Sequence, residues 1–239
     1  MYTYTQSYSG YCSGPSDLQC CVSSNPGPAP TPNPPSSSVY GVDISQQLSS
    51  STASCLASNG ISFIIPRGYK STCAVDSNVC TSIKNAAAAG IAKRDAYLFP
   101  SPTCSKSASD QMGELLNYLK ANCGGKWSGR IWLDVEGAQY WLGDYAANKN
   151  WYQSLVDSCK NYGVECGVYA TKYQWQDIFG SSSYCYGNNL PLWYAHYDNN
   201  PSFSDYSSFG CWSSPYAKQY VGDATMCSMG VDKNYSPNF

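Results

Sequence analysis

The stretch Arg130-Ile131-Trp132-Leu133-Asp134-Val135-Glu136-Gly137 sets two carboxylates two residues apart at the end of an apolar run. Trp132, Asp134 and Glu136 alternate with Ile131, Leu133 and Val135, so the segment reads as a buried strand with both acids on one face. Acids in such a place are costly to bury without a task. Neighbouring carboxyls are what acid-assisted cleavage of a glycosidic bond requires: one protonates the leaving oxygen and the other manages the charge building on the sugar. Glutamate occurs only at 114, 136 and 165, and the other two sit in surface-like helix or loop sequence. Glu136 therefore stands alone as a candidate buried glutamate.

Two further acids end apolar runs. Asp43 lies in Tyr40-Gly41-Val42-Asp43-Ile44-Ser45, and Asp232 in Gly230-Val231-Asp232-Lys233-Asn234-Tyr235. Either one, taken alone, also fits a turn or a helix cap. The elements that would carry all four acids recur along the chain. Strand-like runs fall at 39–44, 61–66, 94–99, 130–135, 166–170, 190–197, 217–221 and 230–235. Helix-like stretches at 52–59, 76–89, 108–122 and 145–162 separate the first five, and a short one at 173–179 follows. Gly60, Gly90, Gly124, Gly163 and Gly180 close these helices. Strand–helix alternation of this kind builds a parallel sheet with right-handed crossovers.

The expected fold is an α/β, irregular TIM-like (β/α) barrel of about eight strands with reduced helices in the last third; an open doubly wound sheet is the runner-up. In a closed barrel the C-terminal strand ends converge on one face. The first and eighth strands become neighbours there, which brings Asp43 to Asp232 and both towards Asp134 and Glu136.

Composition narrows the function. A net charge of −2 argues against nucleic acid as a partner, and no apolar run is long enough to span a membrane. Thirteen cysteines point to an oxidising compartment, and thus to a secreted or lysosome-like location. No secretory leader follows Met1, so one is expected to have been removed. The sequence holds one histidine, His196, and no Cys-x2-Cys pair, so no metal site and no cofactor are expected. A Ser–His or Cys–His hydrolase would have to use His196, and no Gly-x-Ser-x-Gly elbow is present. His196 is expected to hydrogen-bond at the pocket rim or on the barrel wall.

Residues 25–38 (NPGPAPTPNPPSSS) read as a stiff linker. They join a small Cys-rich segment, 1–24, to a barrel domain, 39–239. The small segment is either a wall-binding module or a disulfide-stapled extension. Cys12, Cys20 and Cys21 fall in it, while ten cysteines lie beyond the linker and can pair fully. Cys73–Cys80 and Cys159–Cys166 are the short loops expected from spacing.

Gly-Val-Asp-Ile-Ser at 41–45, Phe-Ile-Ile-Pro-Arg at 63–67 and Asp-Ala-Tyr-Leu-Phe at 95–99 continue with Trp-Leu-Asp-Val-Glu at 132–136 and Gly-Val-Tyr-Ala at 167–170. Leu-Trp-Tyr-Ala-His-Tyr at 192–197, Lys-Gln-Tyr at 218–220 and Val-Asp-Lys-Asn at 231–234 complete the order. Over residues 39–235 this series resembles the glycoside hydrolase family 25 lysozymes, which are N-acetylmuramidases. The resemblance implies hydrolysis of the β-1,4 bond between N-acetylmuramic acid and N-acetylglucosamine in peptidoglycan strands; separately, the chain is expected to be a monomer. It implies Glu136 as general acid, with Asp134, Asp43 and Asp232 as the other pocket carboxylates. Asp134 is expected to stay ionised, and either to stabilise the oxocarbenium-like charge or to orient the 2-acetamido group; retention with acetamido participation is favoured. Leu98 and Lys218 stand where the family often has His and Trp.

Tyr and Trp stack on sugar rings, and with 22 and 7 of them the chain is rich in both. Tyr97, Phe99, Tyr169, Trp193, Tyr197 and Tyr220, at strand ends, are the candidate sugar contacts. Two other readings share the pattern: a non-catalytic glycan-binding protein on the same scaffold, and a glycosidase acting on chitin-like N-acetylglucosamine chains.

Overall fold

Side-chain alternation along the strands explains how the chain closes on itself. In β8 (Arg130–Val135), Ile131, Leu133 and Val135 pack outward against helices while Trp132 turns into the barrel. In β3 (Tyr40–Ile44), Val42 and Ile44 face out. Gly41 faces in, where any Cβ would lie 2.3 Å from the Phe63 ring. Phe63, Ile65, Trp132, Tyr169, Trp193 and Ala217 fill the interior, so the barrel is a packed core rather than a pore.

The computed structural model describes residues 4–9, 19–23 and 40–239. Two compact units emerge, Met1–Ser36 and Ser37–Phe239. In the first, β1 (Tyr4–Ser9) and β2 (Gln19–Ser23) pair antiparallel. Cys12 and the linker 25–38 lie outside the described residues.

In the second unit, β3 pairs in parallel with β4 (Phe63–Lys70), and the sheet continues through β7 (Ala96–Leu98), β8, β9 (Glu165–Ala170), β10 (Leu192–Ala195) and β11 (Ala217–Met226). Strand β12 (Met229–Tyr235) then returns to β3, closing an eight-stranded mixed barrel. Two short strands, β5 (Ala74–Val75) and β6 (Lys93–Arg94), pair with β4 outside this ring. Helices α1 (Ser50–Ser58), α2 (Val79–Ala88), α3 (Ala108–Asn122), α4 (Tyr145–Tyr162) and α5 (Lys172–Phe179) cover the outside. Their starts are chemically marked: the side chains of Ser49, Ser107, Asp144 and Thr171 each accept a backbone N–H of the first turn.

One expectation is corrected. The sheet is not all parallel, because β12 runs antiparallel to both its neighbours. A two-residue turn, Cys227-Ser228, joins β11 to β12 with both residues left-handed (φ 53° and 62°), the conformation of a tight hairpin. A hairpin reverses the chain where a crossover helix would have kept its direction. Asp232 thus reaches the acid-bearing end from the middle of a reversed strand rather than from a C-terminal strand end.

Five disulfides join cysteines of the barrel unit, as suits an oxidising environment. Cys159–Cys166 pairs as spacing suggested, but Cys73 joins Cys104 and Cys80 joins Cys123. The reason is directional. Cys73 ends the β4–β5 turn beside the loop before α3, whereas Cys80 points from α2 towards the end of α3. Cys55–Cys227 and Cys185–Cys211 complete the set. No helix among the described residues is long and apolar enough to cross a membrane.

Candidate active site

Asp43 and Asp232 sit directly opposite each other across the β3–β12 pair. Two amides hold the buried Asp43 carboxyl: Gln219 Nε2 and Asn234 Nδ2 donate to its Oδ1 at 2.8 and 2.7 Å. Gln219 reaches Asp232 as well, at 3.4 Å, and the backbone N–H of Asp223 donates to Asp232 Oδ1 at 2.7 Å. Behind the amides stands a second layer. Tyr169 and Tyr197 hydroxyls donate to Gln219 Oε1 at 2.7 and 2.8 Å, and Trp193 Nε1 donates to Asn234 Oδ1 at 2.8 Å. Each amide is thereby oriented with its NH2 towards the acids.

Asp134 is buried in β8, and its Oδ1 has no hydrogen-bond partner. Glu136 follows the strand's last residue and is half-buried, and its carboxyl receives no hydrogen bond among the described residues. Arg67 supplies the positive charge that acts on Asp134, while donating to Asp76 Oδ2 at 2.9 Å and to the Ser45 carbonyl at 3.1 Å.

Crowded acids with little compensation hold their protons. Burial, then the Asp232 charge, pushes Asp43 up to about 8 against the opposing amide hydrogen bonds. Burial followed by the charges of Glu136 and Asp43 drives Asp134 well above the carboxylate range, with Arg67 opposing. Glu136 is raised by burial and by Asp232, and Asp232 by burial despite the Asp223 N–H. The four therefore titrate as one coupled group, each binding its proton more tightly than an isolated carboxyl does. The free cleft does not favour the ionised Asp134 that the sequence led us to expect; a donor arriving with substrate would.

Glu136 opens onto a cleft of about 580 Å³ whose walls include Tyr169, Lys172, Tyr173, His196 and Tyr197. A cavity of equal size near the opposite strand ends, lined by Arg130, Asp157, Lys160 and Glu165, contains none of the four acids. His196 is at the cleft rim, its Nδ1 2.6 Å from Asp205 Oδ2. With Asp198 and Asp205 it forms the one cluster of potential cation ligands among the described residues. The ammonium of fully buried Lys218 already bridges that pair of carboxylates, at 2.8 and 2.7 Å.

Of the candidate sugar contacts, Tyr97 stands among the acids: its hydroxyl is driven up by burial and by the charges of Asp134 and Asp43. Phe99 lies past the end of β7, edge-on to Tyr140 at 5.2 Å. Tyr169 and Tyr197 border the cleft. Trp193 and Tyr220 are placed elsewhere. Trp193 is only 2 % exposed, packed under Tyr169 inside the barrel with its indole N–H already used. Tyr220 follows the inward-facing Gln219, so alternation turns it outward, towards Tyr40. Sequence reasoning missed Gln219 and Asn234 as holders of the acids. The available signal was their spacing, since Asn234 is two residues from Asp232 on the same strand face.

The family model described as lysozyme-like protein 1 matches residues 35–220. A probable GH family 25 lysozyme 2 of Dictyostelium discoideum is 44% identical over 204 residues, covering 84% of this chain and 92% of the relative. The chain belongs to the glycoside hydrolase family 25 lysozymes. Another relative of this lysozyme, lysozyme-like protein 5 of Caenorhabditis elegans, is 40% identical over 200 residues, with 82% and 91% covered. The bacterial lysozyme from Streptomyces coelicolor superposes with a TM-score of 0.64 at 25% identity, over 84% of this lysozyme and 92% of that chain.

Proposed function

We propose that this chain is a secreted, monomeric muramidase that hydrolyses the β-1,4 bond between N-acetylmuramic acid and N-acetylglucosamine in bacterial peptidoglycan, with Glu136 as general acid. One observation carries the assignment: of four clustered carboxyls, all with raised proton affinity, Glu136 is the one that borders the open cleft. A protonated carboxyl there can deliver its proton to the glycosidic oxygen as the C–O bond breaks, so that the departing sugar leaves as a neutral alcohol.

Asp134 offers a buried oxygen without a donor. The Asp134 carboxyl can orient the 2-acetamido group of the substrate, aligning the acetamido carbonyl oxygen with the anomeric carbon for internal attack. The resulting ring is opened by water, with Glu136, now ionised, accepting the proton, and configuration at the anomeric carbon is retained. Burial and the Asp232 charge favour the protonated form of Glu136, and the Gln219–Asn234 pair fixes Asp43 and Asp232 in place. Tyr97, Phe99, Tyr169 and Tyr197 supply the sugar-facing surfaces. Disulfides throughout the barrel unit support a secreted or lysosome-like setting.

Clearing of bacterial walls by wild type and by Glu136→Gln, with mass spectrometry of the fragments, tests this reading. Muramic acid at the new reducing ends, and no clearing by the variant, are expected. N-acetylglucosamine at those ends, or equal clearing by both proteins, contradicts it. Segment 1–24 and linker 25–38 are read as separate from the chemistry of the barrel domain 39–239. Deleting residues 1–38 should leave hydrolysis of soluble glycan fragments unchanged, and loss of that hydrolysis would make the segment part of the catalytic unit.

A further inference from the structure

The peptide bond between Glu136 and Gly137 is gripped from both sides. Trp141 Nε1 donates to the Glu136 carbonyl at 3.0 Å, and the Gly137 N–H donates to Gln174 Oε1 at 3.0 Å. Neither partner is free to drift. Trp141 is 4% exposed and packs edge-on against Trp151 and Phe179. Gln174 lies in the first turn of α5, where its own N–H donates to the Thr171 hydroxyl at 3.1 Å. Beyond the clamp, Asn148 of α4 ties the same segment to α5: it accepts from the Leu142 N–H and donates to the Ile178 carbonyl, both at 2.8 Å. Gly137 itself needs its lack of a side chain, with φ of 63° and the Tyr140 ring 2.6 Å from where a Cβ would stand.

This arrangement has a consequence for the carboxyl. A glutamate past the end of a strand, with no hydrogen bond to its own carboxyl, is directed only by its backbone and its packing. Holding both polar groups of the adjoining peptide fixes that backbone, and small misplacements of a proton donor cost rate steeply. We infer that Gln174 and Trp141 are positioning residues for Glu136, acting through this peptide rather than by touching the reacting atoms. The inference rests on the proposed role of Glu136.

The test compares four full-length variants on soluble glycan fragments. Gln174→Met keeps length but removes the acceptor; Gln174→Glu restores an acceptor and adds a charge; Trp141→Phe keeps an aromatic ring but removes the donor; Glu136→Gln is the reference. For Gln174→Met we expect kcat to fall about tenfold, on the scale of one lost neutral hydrogen bond, with KM within about twofold and Tm nearly unchanged. Gln174→Glu should recover most of that kcat, with the basic limb of the pH–rate profile moved upward because a second carboxylate disfavours ionisation of Glu136. Trp141→Phe should reproduce the fall in kcat at unchanged KM. Wild-type kcat in Gln174→Met, a raised KM at constant kcat, or a loss that follows Tm and is not restored by Gln174→Glu each overturns the inference. An active Glu136→Gln instead removes the reading on which it rests; an inactive one beside a fully active Gln174→Met removes the clamp alone.

Discussion

Asp43 and Asp232 face each other across the β3–β12 pair, and one amide, Gln219, spans both carboxyls. The first and last strands of the barrel thus meet at an acid pair, and closing the barrel assembles the site in the same step. Folding brings together two groups that repel when ionised, so the fold and the proton content of the site are linked.

That linkage gives a pH dependence of definite sign. Burial and Asp232 raise Asp43 from 3.8 to about 8, so the folded chain binds a proton more tightly than the unfolded chain does. The contribution is fully present below the ordinary carboxylate pKa and is lost as pH rises through about 8. Melting curves should show Tm falling from pH 5 to pH 9 by on the order of 5 °C. Asp43→Asn, which keeps an acceptor for Gln219 and Asn234, should flatten that slope. A Tm that rises with pH over this range, or an equal slope in the variant, would refute it.

Gln219 is expected to matter for both stability and rate. Gln219→Leu removes two donors to the acids and the acceptor shared by Tyr169 and Tyr197. Leaving the buried Tyr169 hydroxyl unpaired and the buried Asp43 with Asn234 as its remaining donor should cost about 1–3 kcal/mol in denaturant unfolding. The hydrogen bond from Gln219 lowers the Asp43 pKa, so its loss should also move the pH dependence of stability upward. Unchanged unfolding would show that water replaces the amide.

Lys218 acts as an internal cation. It is fully buried between Asp198 and Asp205, which also binds His196 and the Tyr194 hydroxyl. Lys218→Met should destabilise the chain by about 3 kcal/mol, because it leaves close carboxylates uncompensated. Adding Asp205→Asn to that variant should recover part of the loss. Hydrogen bonds from Lys218, His196 and Tyr194 outweigh burial and hold the Asp205 pKa down to about 2, so its contribution is present above the ordinary carboxylate pKa and fades as pH falls towards 2. A Lys218→Met variant as stable as wild type would contradict this role.

The disulfides should differ in worth according to the loops they close. Cys55–Cys227 spans 172 residues and Cys159–Cys166 spans 7. By the chain-entropy relation, removing the first pair should cost about 5 kcal/mol and the second about 2 kcal/mol. Paired Cys→Ala variants compared by chemical unfolding check the order, and equal losses would assign the stabilisation to local packing instead.

Much of this molecule could be read from its residues. Strict alternation located β3 and β8, and closing glycines helped bound α3 at 108–122 and α4 at 145–162 as expected. The four acids were found because carboxylates at the ends of apolar strands are costly and so stand out. The reversal of β12 stayed hidden because Cys227-Ser228 lacks the Asn-Gly signature of a tight hairpin. Lys218 resembles a surface charge until Asp198 and Asp205, from a distant loop, close over it. Gln174 gave no signal, since a glutamine in a helix's first turn is ordinary and its partner lies in another element. Local pattern thus identified elements and acids, whereas side-chain partners brought together by closure were beyond it.

Proton donation by Glu136 is tested most directly by varying how much the leaving group needs the proton. We predict that Glu136→Gln loses at least about 10³-fold in kcat/KM on peptidoglycan fragments, whose leaving alcohol must be protonated. On a dinitrophenyl glycoside of the same sugar, whose phenolate departs unaided, the loss should be less than about tenfold. An equal loss on both substrates would contradict a general-acid role for Glu136.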